Sequence, residues 1–148
     1  MFSAYIEHEI LLVEDDPVDA ELAARALGQL GLGRLLYRVR DGQEALDFVL
    51  ARGVYVQRNA STTPQFILLD LNLPKVSGLE VLLRLKRSVA TRDIPVIVMT
   101  GSRAEADKAA SFECGANGFI RKPLDLDQLE SAICDIGYYW MAFGLASA

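Results

Sequence analysis

Hydrophobic positions along this chain follow two rhythms that take turns. Short unbroken apolar runs mark strands, and apolar residues recurring every three or four positions mark amphipathic helices. Glu9–Val13 (EILLV) reads as a first strand. Asp16 then stands as an N-cap, with Pro17 at the first helical position. Leu22, Ala23, Ala26, Leu27 and Leu30 form one face of the helix that follows, and Gly31 ends it. Leu35–Val39 predicts a second strand leading into Asp41-Gly42, with Ala45, Leu46, Val49 and Leu50 on a second helix. Beyond a polar loop over 52–64, Phe66–Leu69 reads as a third strand. Leu79, Leu82 and Leu83 lie on a helix that starts near Gly78. Pro95–Met99 predicts a fourth strand, Glu105–Cys114 a helix of small residues ending at Gly115, and Gly118–Arg121 a fifth strand. Asp125, with Gln128 three residues on, forms a capping-box pattern for a last helix that buries Leu126, Leu129, Ile133 and Ile136.

Strand then helix, repeated five times, predicts an α/β fold. Strands that are apolar throughout are buried on both faces, which indicates a parallel sheet. Right-handed crossovers then make it doubly wound, with helices on both faces. In such a sheet, ligands sit beyond the carboxyl ends of the strands, where the strand order reverses. The residues at those ends belong together: Glu14, Asp15 and Asp16; Asp70 and Asn72; Thr100, Gly101 and Ser102; Lys122 and Pro123. Like charges about 4 Å apart at an effective dielectric of about 20 repel by roughly 4 kcal/mol. The acidic cluster therefore needs a cation. Carboxylate oxygens without nearby His or Cys suit Mg²⁺, which keeps several waters and is completed by phosphate oxygens. A cation beside a carboxylate, with Lys122 and Thr100 as further donors, is the equipment for phosphoryl transfer. Asp70 would be the nucleophile, because a carboxylate can carry an aspartyl phosphate.

Composition narrows the setting. The 148 residues, 51% of them hydrophobic, suit one domain over 1–148. A net charge of −5 argues against nucleic acid as the main partner. No apolar stretch approaches the roughly 20 residues needed to span a membrane. The opening MFSAYIEHEI has neither a basic start nor a long apolar core, so no secretory signal is expected. Cys114 and Cys134 match no metal spacing and are expected as free thiols in a cytoplasmic protein. His8-Glu9 begins like a zinc motif, but Leu12 occupies the second ligand position.

The motifs VEDD (Val13–Asp16), LLDLNLP (Leu68–Pro74), MTGS (Met99–Ser102) and RKP (Arg121–Pro123) together resemble the receiver domains of two-component response regulators. The resemblance runs over roughly 10–137, with every marker in order. It implies a flavodoxin-like sheet of order 2-1-3-4-5 and a phosphoryl group taken from a histidine kinase onto Asp70. Glu14 and Asp15 would form the acidic pair that holds Mg²⁺ with Asp70, and Asn72 would add its backbone carbonyl. Lys122 would bind the phosphoryl group, and Thr100 would shift to hydrogen-bond it while the Phe119 ring turns inward. The Lys122–Pro123 bond is often cis in this family. Such a domain catalyses only its own phosphorylation and dephosphorylation.

The loop RGVYVQRNASTTPQ, the run NLPKVSGLEVL and the aromatic ending YYW further resemble small stand-alone regulators that partner phytochrome-type histidine kinases. Gly101 departs from the Thr or Ser common among such relatives, which bears on phosphoryl lifetime. The chain ends soon after the last helix, so no DNA-binding output domain is expected, and the signal would leave through a downstream protein. From about 138 the sequence is an apolar tail, and Ile136, Tyr139 and Trp140 are the expected contacts of a homodimer built on the last helix. Two rivals remain. A haloacid dehalogenase-type phosphatase would carry a second acid two residues after the nucleophile, where Asn72 stands. A receiver-like interaction module that is never phosphorylated would tend to lack a marker, and all are present.

Overall fold

The computed structural model describes residues 6, 8–59, 63–101 and 104–143, and of 138–143 the backbone alone. Five strands run parallel: β1 (Ile10–Val13), β2 (Leu36–Val39), β3 (Phe66–Asp70), β4 (Val96–Thr100) and β5 (Gly118–Arg121). Their order is β2-β1-β3-β4-β5, so the chain reverses direction across the sheet between β1 and β3. The helices are α1 (Pro17–Gln29), α2 (Gly42–Leu50), α3 (Gly78–Arg87), α4 (Glu105–Glu113) and α5 (Leu126–Phe143).

Alternate strand residues feed two cores, as the period of a strand requires. Ile10, Leu12, Phe66, Leu68, Ile97, Met99 and Ile120 pack with α1 and α5. Leu11, Val13, Val39, Ile67, Leu69, Val96 and Val98 pack with α2 and α3. All residues of β1, β3 and β4 are buried.

Capping chemistry sets the helix ends. Asp16 accepts from Val18 N at 2.8 Å and Pro17 opens α1, while Gly31 leaves it with φ +77°. Asp41 caps α2 through Glu44 N at 2.7 Å, and Asp125 accepts from Gln128 N at 2.8 Å at the start of α5. The buried face of α1 differs in part from the pattern expected. In α1 the buried residues are Ala20, Ala23, Ala26 and Leu27, and Leu22 is half-buried. In α3 they are Gly78, Val81, Leu82 and Leu85, with Leu79 and Leu83 half-buried. At its entry Gly78 is pressed against the backbone of Asp70. Helix α4 stands apart: Ser111 is its buried residue, and its hydroxyl donates to Asp107 O at 2.8 Å.

After α2 comes a 3₁₀ turn, Gly53–Tyr55, and the residues around it are pinned to α2 and to the start of β1. Tyr55 Oη donates to Glu44 Oε2 at 2.7 Å. The Arg58 guanidinium lies 3.5 Å from the Phe48 ring centroid and pairs with Glu9 at 3.0 Å.

At the amino end of the strands, Lys86 of α3 reaches under the sheet. Its ammonium donates to Arg92 O at 3.1 Å, Ile94 O at 2.7 Å and Asn117 Oδ1 at 3.0 Å. Asn117 Oδ1 also accepts from Val96 N at 2.9 Å, so this one oxygen joins α3 to β4 and β5. Lys86→Met keeps the stem and removes the three bonds, taking the ammonium from part-buried Ile94 O and leaving Asn117 Oδ1 with Val96 N alone. A loss of about 2 kcal/mol is expected in urea titration; a change within about 0.5 kcal/mol would show that water replaces the ammonium.

Candidate functional site

Each side chain at the carboxyl rim is delivered by the element beneath it. β3 and β4 extend one residue further than their apolar runs, so Asp70 and Thr100 are the final strand residues. Asp70 is 3% exposed and Thr100 1%. Glu14 follows β1 directly, is fully buried, and donates its N–H to Val39 O at 3.1 Å. Arg38 of β2 fixes the same turn from the side. Its Nε donates to Glu14 O at 3.0 Å and its Nη2 to Asp15 O at 3.3 Å. Lys122 follows β5, and its N–H donates to Thr100 O at 2.8 Å. The Lys122–Pro123 peptide is cis.

Glycine allows the acidic loop to close. A Cβ on Gly78 would lie 2.2 Å from Asp70 O, and one on Gly42 would lie 2.0 Å from Val76 O. Neither position tolerates a side chain unless the backbone shifts. With Gly78 in place, its N–H donates to Leu71 O at 3.1 Å, and Asn72 N donates to Asp70 Oδ1 at 3.1 Å. The Asp70 carboxylate is thus held from both ends, because Lys122 Nζ lies 3.3 Å from its other oxygen, Oδ2.

Lys122 serves more than one acid. Its Nζ lies 2.6 Å from Glu14 Oε1 and 2.9 Å from Asp19 Oδ2. The Glu14 contact is a close ion pair outside hydrogen-bond angles, and Oε1 has no aligned donor. Burial pushes the Glu14 carboxyl up to about 7; Lys122 pulls it back, and Asp70 adds to the rise. Burial also pulls the Lys122 amine down, but the Glu14 and Asp19 carboxylates outweigh it and hold the amine above its ordinary range. One ammonium among four carboxylates, those of Glu14, Asp15, Asp19 and Asp70, cannot neutralise them all.

That surplus of negative charge fits a divalent cation. Oxygen atoms of Glu14, Asp15 and Asp70 come within 4.8 Å of one another, with Asp15 exposed to solvent. All are hard oxygen donors, and the buried Glu14 Oε1 lacks an aligned donor of its own.

Of the residues singled out from the sequence, Glu14, Asp15, Asp70 and Lys122 come together in one nook. Asn72 enters through its backbone N–H, and its side chain is exposed. Phe119 is half-buried at the edge of the α2–α3 core, with Arg121 Cζ 5.4 Å and Lys108 Nζ 5.8 Å from its ring centroid. Arg121 also pairs with Glu105 at 2.7 Å. Ser102 lies outside the described residues, as do the side chains of Tyr139 and Trp140. Ile136 corrects an expectation. It is 1% exposed within the chain's own core beside α1, so it is consumed there and cannot serve as a dimer contact. Sequence reading missed Asp19 and Arg38. Asp19 lies one helical turn beyond Asp16, on the α1 turn nearest the acidic loop, and that spacing was the available signal.

A doubly wound sheet with a carboxylate, an acidic pair and a lysine at its switch point defines a phosphoacceptor signalling domain of the response regulator class. The chain belongs to the response regulator receiver domain family, whose model matches residues 10–134. Among curated proteins it is 37% identical to the probable methanogenesis regulatory protein FilR2 of Methanothrix harundinacea, over 90% of this chain and 84% of that one. It is 38% identical to the response regulator Rcp1 of Synechocystis sp., over 89% of this chain and 88% of Rcp1. Among solved structures, the bacteriophytochrome response regulator RtBRR superposes with a TM-score of 0.81 at 43% identity, covering 89% of this chain and 79% of that one. AtBRR, another bacteriophytochrome response regulator, superposes with a TM-score of 0.80 at 46% identity, covering 90% and 94%. A Mn²⁺-bound form of Rcp1 superposes with a TM-score of 0.74 at 36% identity, covering 90% and 94%. No helix among the described residues is long and apolar enough to cross a membrane.

Proposed function

We propose that this chain is a stand-alone response regulator that accepts a phosphoryl group from a histidine kinase onto Asp70, with Mg²⁺ in the Glu14–Asp15–Asp70 cluster. The observation that carries this reading is the buried Asp70 carboxylate, held by Asn72 N at 3.1 Å and Lys122 Nζ at 3.3 Å beside two further acids. In the transfer, an Asp70 oxygen forms the new O–P bond as the N–P bond of the donor phosphohistidine breaks. The leaving imidazole keeps the electron pair and takes a proton from solvent. Bound Mg²⁺ would neutralise charge on the phosphoryl oxygens and the acids around them. Lys122 supplies a second positive charge to the same oxygens, and the Thr100 hydroxyl a hydrogen bond. Phe119, on the strand next to Thr100, would follow that hydroxyl inward and exchange its Arg121 and Lys108 neighbours for the core. The test is incubation with acetyl phosphate and Mg²⁺, read as gain of one phosphoryl mass that hydroxylamine removes. An intact protein of unchanged mass would sink the reading.

The likeness to RtBRR and AtBRR supports a phytochrome-type kinase as the donor. Signalling would run through protein contacts in the cytoplasm rather than through catalysis on another substrate. The apolar tail supports a homodimer, with Tyr139 and Trp140 as contacts now that Ile136 is spent on the core. Ending the chain after Gly137 is expected to weaken self-association at least tenfold by light scattering across a concentration series. Unchanged mass at every concentration would remove the tail from the dimer.

A further inference from the structure

Asp19 is the acid that the receiver reading does not use. Its carboxylate sits on the first turn of α1, is about one-quarter exposed, and reaches across 103 positions of sequence to Lys122 Nζ at 2.9 Å. An ammonium has three protons, and three carboxylates surround this one: Glu14, Asp19 and Asp70. Glu14 and Asp70 also belong to the cluster suited to a divalent cation, and Asp19 does not. A cation there would draw on the charge of two of the three partners and leave that of Asp19 undivided.

We propose that Asp19 is a positioning residue for phosphoryl transfer, holding the Lys122 ammonium within reach of Asp70. This rests on the receiver reading and deepens it. When the Asp70 carboxylate becomes an acyl phosphate it loses its own charge, and the ammonium 3.3 Å from its oxygen is placed to meet a phosphoryl oxygen instead. The Asp19 hydrogen bond and the Glu14 ion pair need not break, so the lysine need not be re-aimed during the step. A bare helix-end role for Asp19 predicts something different: a change in stability and no change in chemistry.

Acetyl phosphate and Mg²⁺ serve as the probe, at saturating concentrations of both. Asp19→Asn, which keeps the shape and removes the charge, is expected to slow phosphorylation about tenfold, and Asp19→Glu to recover most of it. In a Lys122→Met background, where the rate is already low, Asp19→Asn should add no further loss. In metal-free protein, ¹⁵N NMR of the Lys122 ammonium should show proton exchange accelerated by Asp19→Asn. A wild-type rate in Asp19→Asn would overturn the proposal. So would a tenfold loss that persists beside Lys122→Met, or one that vanishes at higher Mg²⁺, since Asp19 would then act without the lysine or serve the cation. A wild-type protein that takes no phosphoryl group would instead sink the receiver reading.

Discussion

Asp70→Asn is expected to abolish phosphorylation by acetyl phosphate or a cognate kinase, with a loss of at least 10³-fold that leaves no label above background. The amide is nearly isosteric, so the bond from Asn72 N can survive and the fold should not suffer. What disappears is the nucleophile and one of the three charges that hold Lys122. The buried excess of negative charge also falls, so the variant should be at least as stable as wild type in urea. Stability and activity therefore move in opposite directions, which separates loss of chemistry from loss of fold. Label that persists in a folded Asp70→Asn protein would move the acceptor to another residue.

The second large effect concerns Glu14 and pH. Its carboxyl titrates near 7 in the folded chain against an ordinary 4.5, first because it is buried and then because Asp70 is beside it, with Lys122 opposing. The folded state therefore holds a proton that the unfolded chain has already released between those two values. Stability from this group is full below about 4.5 and is lost as pH rises through about 7. The total is roughly 3 kcal/mol. Lys122, whose amine is raised, keeps its contribution throughout this window. Lys86, pulled down to about 8 by burial against the attraction of Asp93, adds stability only as pH climbs above that value. Urea midpoints of the metal-free protein should fall across this window, and the difference from Glu14→Gln isolates the one group. Mg²⁺ should restore the wild-type midpoint at pH 7.5 and do far less for Glu14→Gln, because the ion binds the folded form and needs the ionised acid. A wild-type midpoint that tracks Glu14→Gln at every pH would mean that Glu14 ionises as freely folded as unfolded.

Much of this was legible because the residues involved act locally. Asp16, Pro17 and Gly31 bound α1 through bonds that close within a few positions, so their spacing alone fixes them. Unbroken runs such as ILLV and PVIVM point to a sheet covered on both faces, and the acids and lysine that follow such runs must share one rim. Of the three leucines placed on α3, only Leu82 is fully buried, because which side of a helix meets the sheet depends on contacts between elements that periodicity does not encode. Asp19 was overlooked for a related reason. An acid in the first turn of a helix already has a sufficient local explanation in the helix dipole, and its link to Lys122 exists only after the four crossovers from β1 to β5 have been made. Ile136 was counted both on the buried face of the last helix and with the aromatic tail, and the first of those places is the one it takes.

Helix α4 gives the fold an uneven resistance to deformation. Dislodging α1 or α3 would open voids beneath leucine and valine, whereas α4 leaves little behind it but a serine hydroxyl already bonded within its own turn. It lies beside β5, joined through Glu105 to the arginine that flanks Phe119. Were Phe119 to turn inward as the receiver reading proposes, α4 would be the helix that yields to it with least loss of packing.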